Sequence, residues 1–347
     1  MIIRDDIRIF QGVTPIGPGG HMDVPLGNFA SAAFETGTAD FIGDLLLPTI
    51  PVGKQSDKFY IIEKDAFFRI ENTRRAPRTR ARRVEFQVSS DSYFADNYAL
   101  AAENAIEDLA NTDNALMLRE NSTTLVVEGL RRDQEVRIAN LITSATNVGS
   151  GVLTPAAADS WFSTNSADII GQVSTGQAYM RSQTGLLPNT MVVDWDSYQA
   201  MKKNARLFEH FKYTNAPNPT DGSGLLSDDM LKTVFGIDRL LVGRAIRNTA
   251  VETADSQAFT SANVWGNNCL LLHVAPPTGL QSRTLAARFN WRPAGFTTPF
   301  GVATAVENEA GSRHVEILEA QYFQDEKVIA PELGYVIKTS SGETGTP

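Results

Sequence analysis

Apolar and polar positions follow several distinct rhythms along this chain, and each predicts its own kind of element. The clearest helical rhythm runs from about Asn114 to Thr143, with Asp113 placed to cap its start and Gly149 and Gly151 beyond its end. At 1.5 Å per residue such a helix is about 45 Å long. On a wheel of 100° per residue, Leu116, Val127, Leu130, Ile138 and Leu141 fall within roughly 80° of one another and form its expected core. Leu118, Leu125 and Val136 make a second, narrower stripe almost opposite, which predicts packing under a loop of the same chain or against another subunit.

Two stretches alternate like strands: "KFYIIEK" (58–64) and "RVEFQVS" (83–89), both rich in aromatic and β-branched residues. They predict a hairpin whose connection, "DAFFRIENTRRAPRTRAR" (65–82), is long and polar. Two strands alone are marginal in water, so such a hairpin needs a larger surface to lie on. Residues 1–57 are broken by Gly and Pro and read as an extended arm, with one or two helical turns at 39–48 stopped by Pro48. Helices are expected at 167–180, at 197–203 and at 225–236, the last capped by Ser227 and closed by Gly236. Core strands are expected at 189–195, 237–245 and 267–275, a loop at 215–224, and three further strands after 300. This order is α+β rather than a regular βαβ winding.

Composition then narrows the function. The 347 residues carry a net charge of −9, which opposes tight binding to nucleic acid but permits enclosing it. The longest apolar runs, such as Phe41 to Leu47, are too short to cross a bilayer, and Arg4, Asp5 and Asp6 leave no room for the apolar region of a signal peptide. The single cysteine, Cys269, excludes an intrachain disulfide and fits a reducing cytosol. It lies in an apolar strand and reads as a small buried hydrophobe. There is no phosphate loop, no dinucleotide fingerprint, no HExxH zinc helix and no GxSxG elbow. His21, His210, His273 and His314 are scattered without a ligand pattern, and Asp228 and Asp229 read as first-turn helix residues. The expectation is no catalytic residue, no metal and no cofactor.

One cluster stands out in so acidic a chain. Arg74, Arg75, Arg78, Arg80, Arg82 and Arg83 surround Pro77, with Phe67 and Phe68 just before them. Three readings compete: a solvated loop, a nucleic-acid contact, and a contact between subunits. The last is favoured, because six like charges repel one another and guanidinium forks pair bidentately with carboxylates. Glu103, Glu107, Asp108, Glu120 and Glu128 are candidate partners.

The stretches at 45–65, "RRAPRTRARRVEF" (74–86), "GLLPNTMVVDWDSYQAMKKN" (185–204), "FGIDRLLVGRA" (235–245) and "VWG" (264–266), in this order, resemble the tailed-phage major capsid proteins. Encapsulin nanocompartments and the herpesvirus capsid floor share that fold. The resemblance implies an N-terminal arm (1–50) and an extended hairpin, the E-loop (51–92). It implies a peripheral domain (93–160 and 300–323) carrying the spine helix, and an axial domain (161–299 and 324–347). It further implies pentamers and hexamers of this chain, a portal protein at one vertex and double-stranded DNA held by containment. A separate scaffolding protein and decoration proteins are further expected partners, with no membrane, in a virion assembled in the host cytoplasm. Some relatives crosslink an E-loop lysine to an asparagine. The loop between Asp65 and Arg82 has no lysine, so a non-covalent lattice is expected. The alternatives are an encapsulin-like compartment, a nucleic-acid-binding module using the arginine loop, and a hydrolase with an unrecognised site.

Overall fold

A computed structural model describes residues 21–22, 30, 41–62, 68–75, 77–78, 80–81, 83, 88–111, 115–162, 166–212, 226–250, 259–275, 283–293, 301–309 and 313–340. Two sheets organise these residues, and one long helix packs against both.

The first sheet is built on β14 (Arg313–Val328), a strand long enough to pair with three others. β13 (Gly301–Glu309) and β12 (Ala286–Trp291) follow one another along one edge of it, and β5 (Asp96–Ala105) takes the other edge, all antiparallel. Short β1 (His21–Met22) extends β13, and β2 (Thr49–Val52) lies parallel to β12. Among the described residues β12 is the one partner of β2, so Pro51 sits in an edge strand, where proline is tolerated.

The second sheet has the order β6 (Val152–Leu153), β15 (Gly334–Lys338), β11 (Asn268–Leu272), β7 (Thr190–Asp194) and β8 (Arg239–Gly243). Its central strands β7 and β11 are buried along their whole length, which is why they read as continuous apolar runs. Alternation still sorts their side chains. Cys269, Leu271, Met191, Val193, Tyr335 and Ile337 enter one core, while Leu270, Leu272, Val192 and Val336 enter the other.

On the first of these faces lie α5 (Ile169–Thr184), α6 (Trp195–Lys202), α7 (Ala205–Lys212) and α8 (Asp228–Phe235). Asp168 caps α5 through Gly171 N at 3.2 Å, and Ser227 caps α8 through Met230 N at 3.4 Å. The other face receives the C-terminal half of α3 (Ala115–Thr143), the short α4 (Ala145–Val148), and α1 (Gly43–Leu46) with its flanks.

The 29 residues of α3 span about 43 Å. Val126, Val127 and Leu130 pack on Val302, Leu318, Ala320 and Tyr322 of the first sheet, whereas Ile138, Ala139 and Ile142 join the second core. Half-buried Leu141 and Val136 border that second core. Val136 therefore does not share a stripe with Leu125, which is 68% exposed. Of the two readings of the second stripe, packing under a loop of the same chain fails at Leu125, which no described residue covers. Leu116 lies within α3, but its side chain is outside the described residues.

Other expectations also shift. The second hairpin strand was expected at 83–89; β4 is Val88–Phe94, pairing with β3 (Ser56–Ile62), and residues 84–87 lie outside the described set. β5, β12, α2 (Ile106–Asn111) and α7 were not anticipated. β8 is a half-buried edge rather than a core strand. The boundary expected at 323/324 falls inside β14, which runs on to Val328, and β12 joins the first sheet although its residues were assigned to the axial stretch. The 215–224 loop is outside the described residues. Nor is all of 1–50 a coreless arm: Ile42, Leu46 and Leu47 are buried in this chain's own interior.

Candidate inter-subunit surfaces

The β3–β4 ribbon is fixed at its base and open beyond it. Phe289 of β12 stacks on Tyr93 at 4.7 Å and touches Phe59 at 5.1 Å between ring centroids. Asp325 accepts the Phe94 N–H at 2.9 Å, and Ala95 N donates to Gln55 O at 2.8 Å. Aromatic packing and these hydrogen bonds anchor the stem to the first sheet. Further out, Tyr60 is 60% exposed and Ile70 98% exposed.

Arg74, Arg75, Arg78, Arg80 and Arg83 are all exposed, and none forms an ion pair among the described residues. Arg78 follows Pro77 in a turn with φ of 66°, a left-handed conformation that an arginine adopts only at some cost. Locally, Arg69 pairs with Glu71 at 3.8 Å, and Arg74 N donates to Asn72 Oδ1 at 3.1 Å. Phe67 and Arg82 lie outside the described residues. Phe68, expected with the arginines at a contact between subunits, is 53% exposed, and its ring rests beside Gly185 of its own chain. Among the candidate carboxylates, Glu103, Glu107, Asp108 and Glu128 are exposed, while Glu120 is half-buried.

Sequence reasoning missed the polar network that holds α1 and β2 to α3 and the two sheets. Glu135 on α3 is buried, and its carboxylate accepts from Ile42 N at 3.0 Å, Gly43 N at 2.7 Å and Trp265 Nε1 at 2.8 Å. Burial raises its pKa against these three donors. Beside it, Asp44 pairs with both Arg131 and Arg288, and Arg288 also donates to Thr49 Oγ1. A third knot joins Arg137 to Tyr322 and to Glu326, each at 3.0 Å. No local signal could have shown these partners, because they lie far apart in sequence and meet only through the two sheets.

No family model matches the chain. It is 26% identical over 306 residues to the major capsid protein of Burkholderia phage BcepMu, covering 88% of this chain and 92% of that one. A crystal structure of a phage-related protein from Bordetella bronchiseptica RB50 superimposes with a TM-score of 0.69 at 20% identity, over 93% of this chain and 99% of the other. The capsid of Cyanophage P-SCSP1u gives a TM-score of 0.57 at 10% identity, over 84% and 86%. The chain has the tailed-phage major capsid fold. Within that capsid fold the polar clusters act on geometry.

Tyr198 of α6 donates to Asp228 of α8 and accepts from Lys202 at 2.9 Å, tying two helices together. Cys269 is wholly buried in β11, and burial pushes its thiol up, away from the reactive thiolate. His273 Nδ1 lies 2.9 Å from Leu187 O, just past the end of β11. Among the described residues no group of three His, Cys, Asp or Glu side chains could hold a metal, and no helix is long and apolar enough to cross a membrane.

Proposed function

We propose that this chain is the major capsid protein of a tailed double-stranded DNA phage, a shell subunit that assembles with copies of itself into an icosahedral head. The observation that carries this reading is the relationship to a phage major capsid protein along nearly its whole length. The fold and the exposed Tyr60 and Ile70 beyond the ribbon's stem support it.

In this reading the residues ahead of Ile42 form the N-terminal arm, and the β3–β4 ribbon with its connection forms the E-loop lying across an adjacent subunit. The first sheet and α3 form the peripheral domain. The second sheet and its helices form the axial domain around five- and six-fold positions. Heterologous contacts that close into rings and then tile give a shell. Arg74, Arg75, Arg78, Arg80, Arg82 and Arg83, with Phe67 and Phe68, serve the contacts between subunits. Obligate contacts of this kind bury more than about 2,000 Å². Assembly in the host cytoplasm on a separate scaffolding protein, a portal at one vertex, decoration of the exterior and DNA held by containment complete the proposal. The work is done by recognition between copies rather than by catalysis.

An encapsulin-like compartment shares the fold. The virus-like particle from Pyrococcus furiosus matches with a TM-score of 0.51 at 13% identity, so the phage relative weighs more. Expression of the full chain with its neighbouring head genes, followed by negative-stain microscopy and analysis of nuclease-protected contents, tests the reading. Shells containing protected DNA are expected, and denaturing gels should show a single uncrosslinked band. A protein that stays monomeric under all assembly conditions, or particles filled with an enzyme, would overturn the phage assignment.

A further inference from the structure

We infer that Gly185 is the resting seat of Phe68 in the unassembled subunit, a contact within one chain that holds the long loop folded back until a neighbour displaces it. The inference rests on the shell reading above but concerns the state before assembly.

Its basis is geometric. A Cβ placed on Gly185 would lie 3.4 Å from Phe68 Cε1 and 3.6 Å from Cζ, so the ring lies directly against the bare backbone of this glycine. Gly185 ends α5 in the left-handed conformation, with φ of 70° and its N–H bonded to Arg181 O at 2.9 Å. A side chain is disfavoured there, which leaves a flat backbone surface, and Leu187, two residues on, is 58% exposed. The contact also bridges the two halves of the molecule. Phe68 follows closely on β3, whose ribbon is anchored to the first sheet through Phe289 and Asp325. Gly185 caps a helix packed on the second sheet.

The hold is light. With 53% of Phe68 still exposed, about half of its apolar surface leaves water. That favours the folded-back loop by about fivefold rather than locking it. A bias of this size keeps an apolar side chain partly covered in the free subunit, yet yields readily to an obligate interface.

The test replaces Phe68 with p-benzoylphenylalanine, a photo-crosslinking derivative of phenylalanine, in the full chain. Unassembled subunits are irradiated first. Particles in which the labelled chain is a small minority among unmodified subunits are irradiated next. The expected product from free subunits migrates as one chain and joins position 68 to the tryptic peptide beginning at Ser182. In particles that product should fall to a small fraction of its free-subunit yield and give way to a two-chain product. Free subunits that never crosslink to this peptide would overturn the inference. So would particles that keep the intrachain product at undiminished yield, which would make the contact a permanent part of the fold. If unmodified chains form no particles, the shell reading fails, while the free-subunit measurement still decides whether the seat exists.

Discussion

Asp194 ends β7 with its carboxylate fully buried, accepting the Asp196 N–H at 3.1 Å as it caps α6. Burial pushes its pKa from 3.8 up to about 6, with the nearby Asp196 charge adding to the rise and the backbone donors of the cap opposing it. The sign follows from which form the fold prefers. A carboxylate whose folded pKa lies above its unfolded value binds its proton more tightly when folded. Its charge therefore imposes no penalty below about pH 4, an increasing one between about pH 4 and 6, and the full penalty above. Two units correspond to roughly 2–3 kcal/mol. Asp194→Asn keeps an acceptor at the cap and removes the charge. Urea unfolding of the unassembled subunit should show wild type losing stability relative to Asp194→Asn as pH rises through that window, then no further change. A stability difference independent of pH would mean that Asp194 titrates in its ordinary range.

The three donors that converge on Glu135 make the register of α1 depend on one residue of α3. Glu135→Ala leaves two backbone N–H groups and an indole N–H buried without an acceptor, each costing about 1–3 kcal/mol. A net loss of at least about 3 kcal/mol is expected, less any return from no longer desolvating the carboxylate. Gly43→Ala attacks the same joint from the other side, since its Cβ would come within 2.5 Å of Glu135 Oε2 and 2.9 Å of Ile138 Cδ1. Both variants should lower the urea midpoint, and together they should cost less than the sum of the two, because they break one connection. Strict additivity would show that Glu135 and Gly43 act separately. This joint also marks what sequence could and could not show. Helix limits written into neighbouring residues, such as Ser227 and Gly236 around α8, were legible because capping is local chemistry. Buried β7 and β11 were legible as apolar runs. The alanine-rich β5 was not, because its strand state comes from pairing with β14 rather than from its own propensity. At the candidate surface, the arginine loop was visible as composition. The seat of Phe68 and the Glu135 joint required the folded chain.

Taken whole, the chain carries a net charge of −9, and Arg74, Arg75, Arg78, Arg80 and Arg83 are exposed within one ten-residue stretch of it. Within the chain those arginines find no ion-pair partner among the described residues, so their charge is available to a neighbouring copy, whose exposed Glu107 and Glu128 offer the opposite sign. Reversing Arg78, Arg80 and Arg83 to Glu takes the net charge from −9 to −15, three changes of two units each, without touching a buried group. The isolated subunit should keep its unfolding free energy to within about 0.5 kcal/mol. Shell yield should fall by about tenfold or more, because like charges now face one another across every such contact. Salt separates this explanation from general damage to the loop. Raising ionic strength screens both attraction and repulsion, so it should weaken wild-type assembly and partly restore the reversed variant. Replacing the same three residues by Lys keeps the charge but loses the bidentate fork, and should give an intermediate yield with wild-type salt dependence. Light scattering during assembly, read across a salt series for the three proteins, decides the matter. Normal shells from the reversed variant would remove the charge-pairing role from the loop.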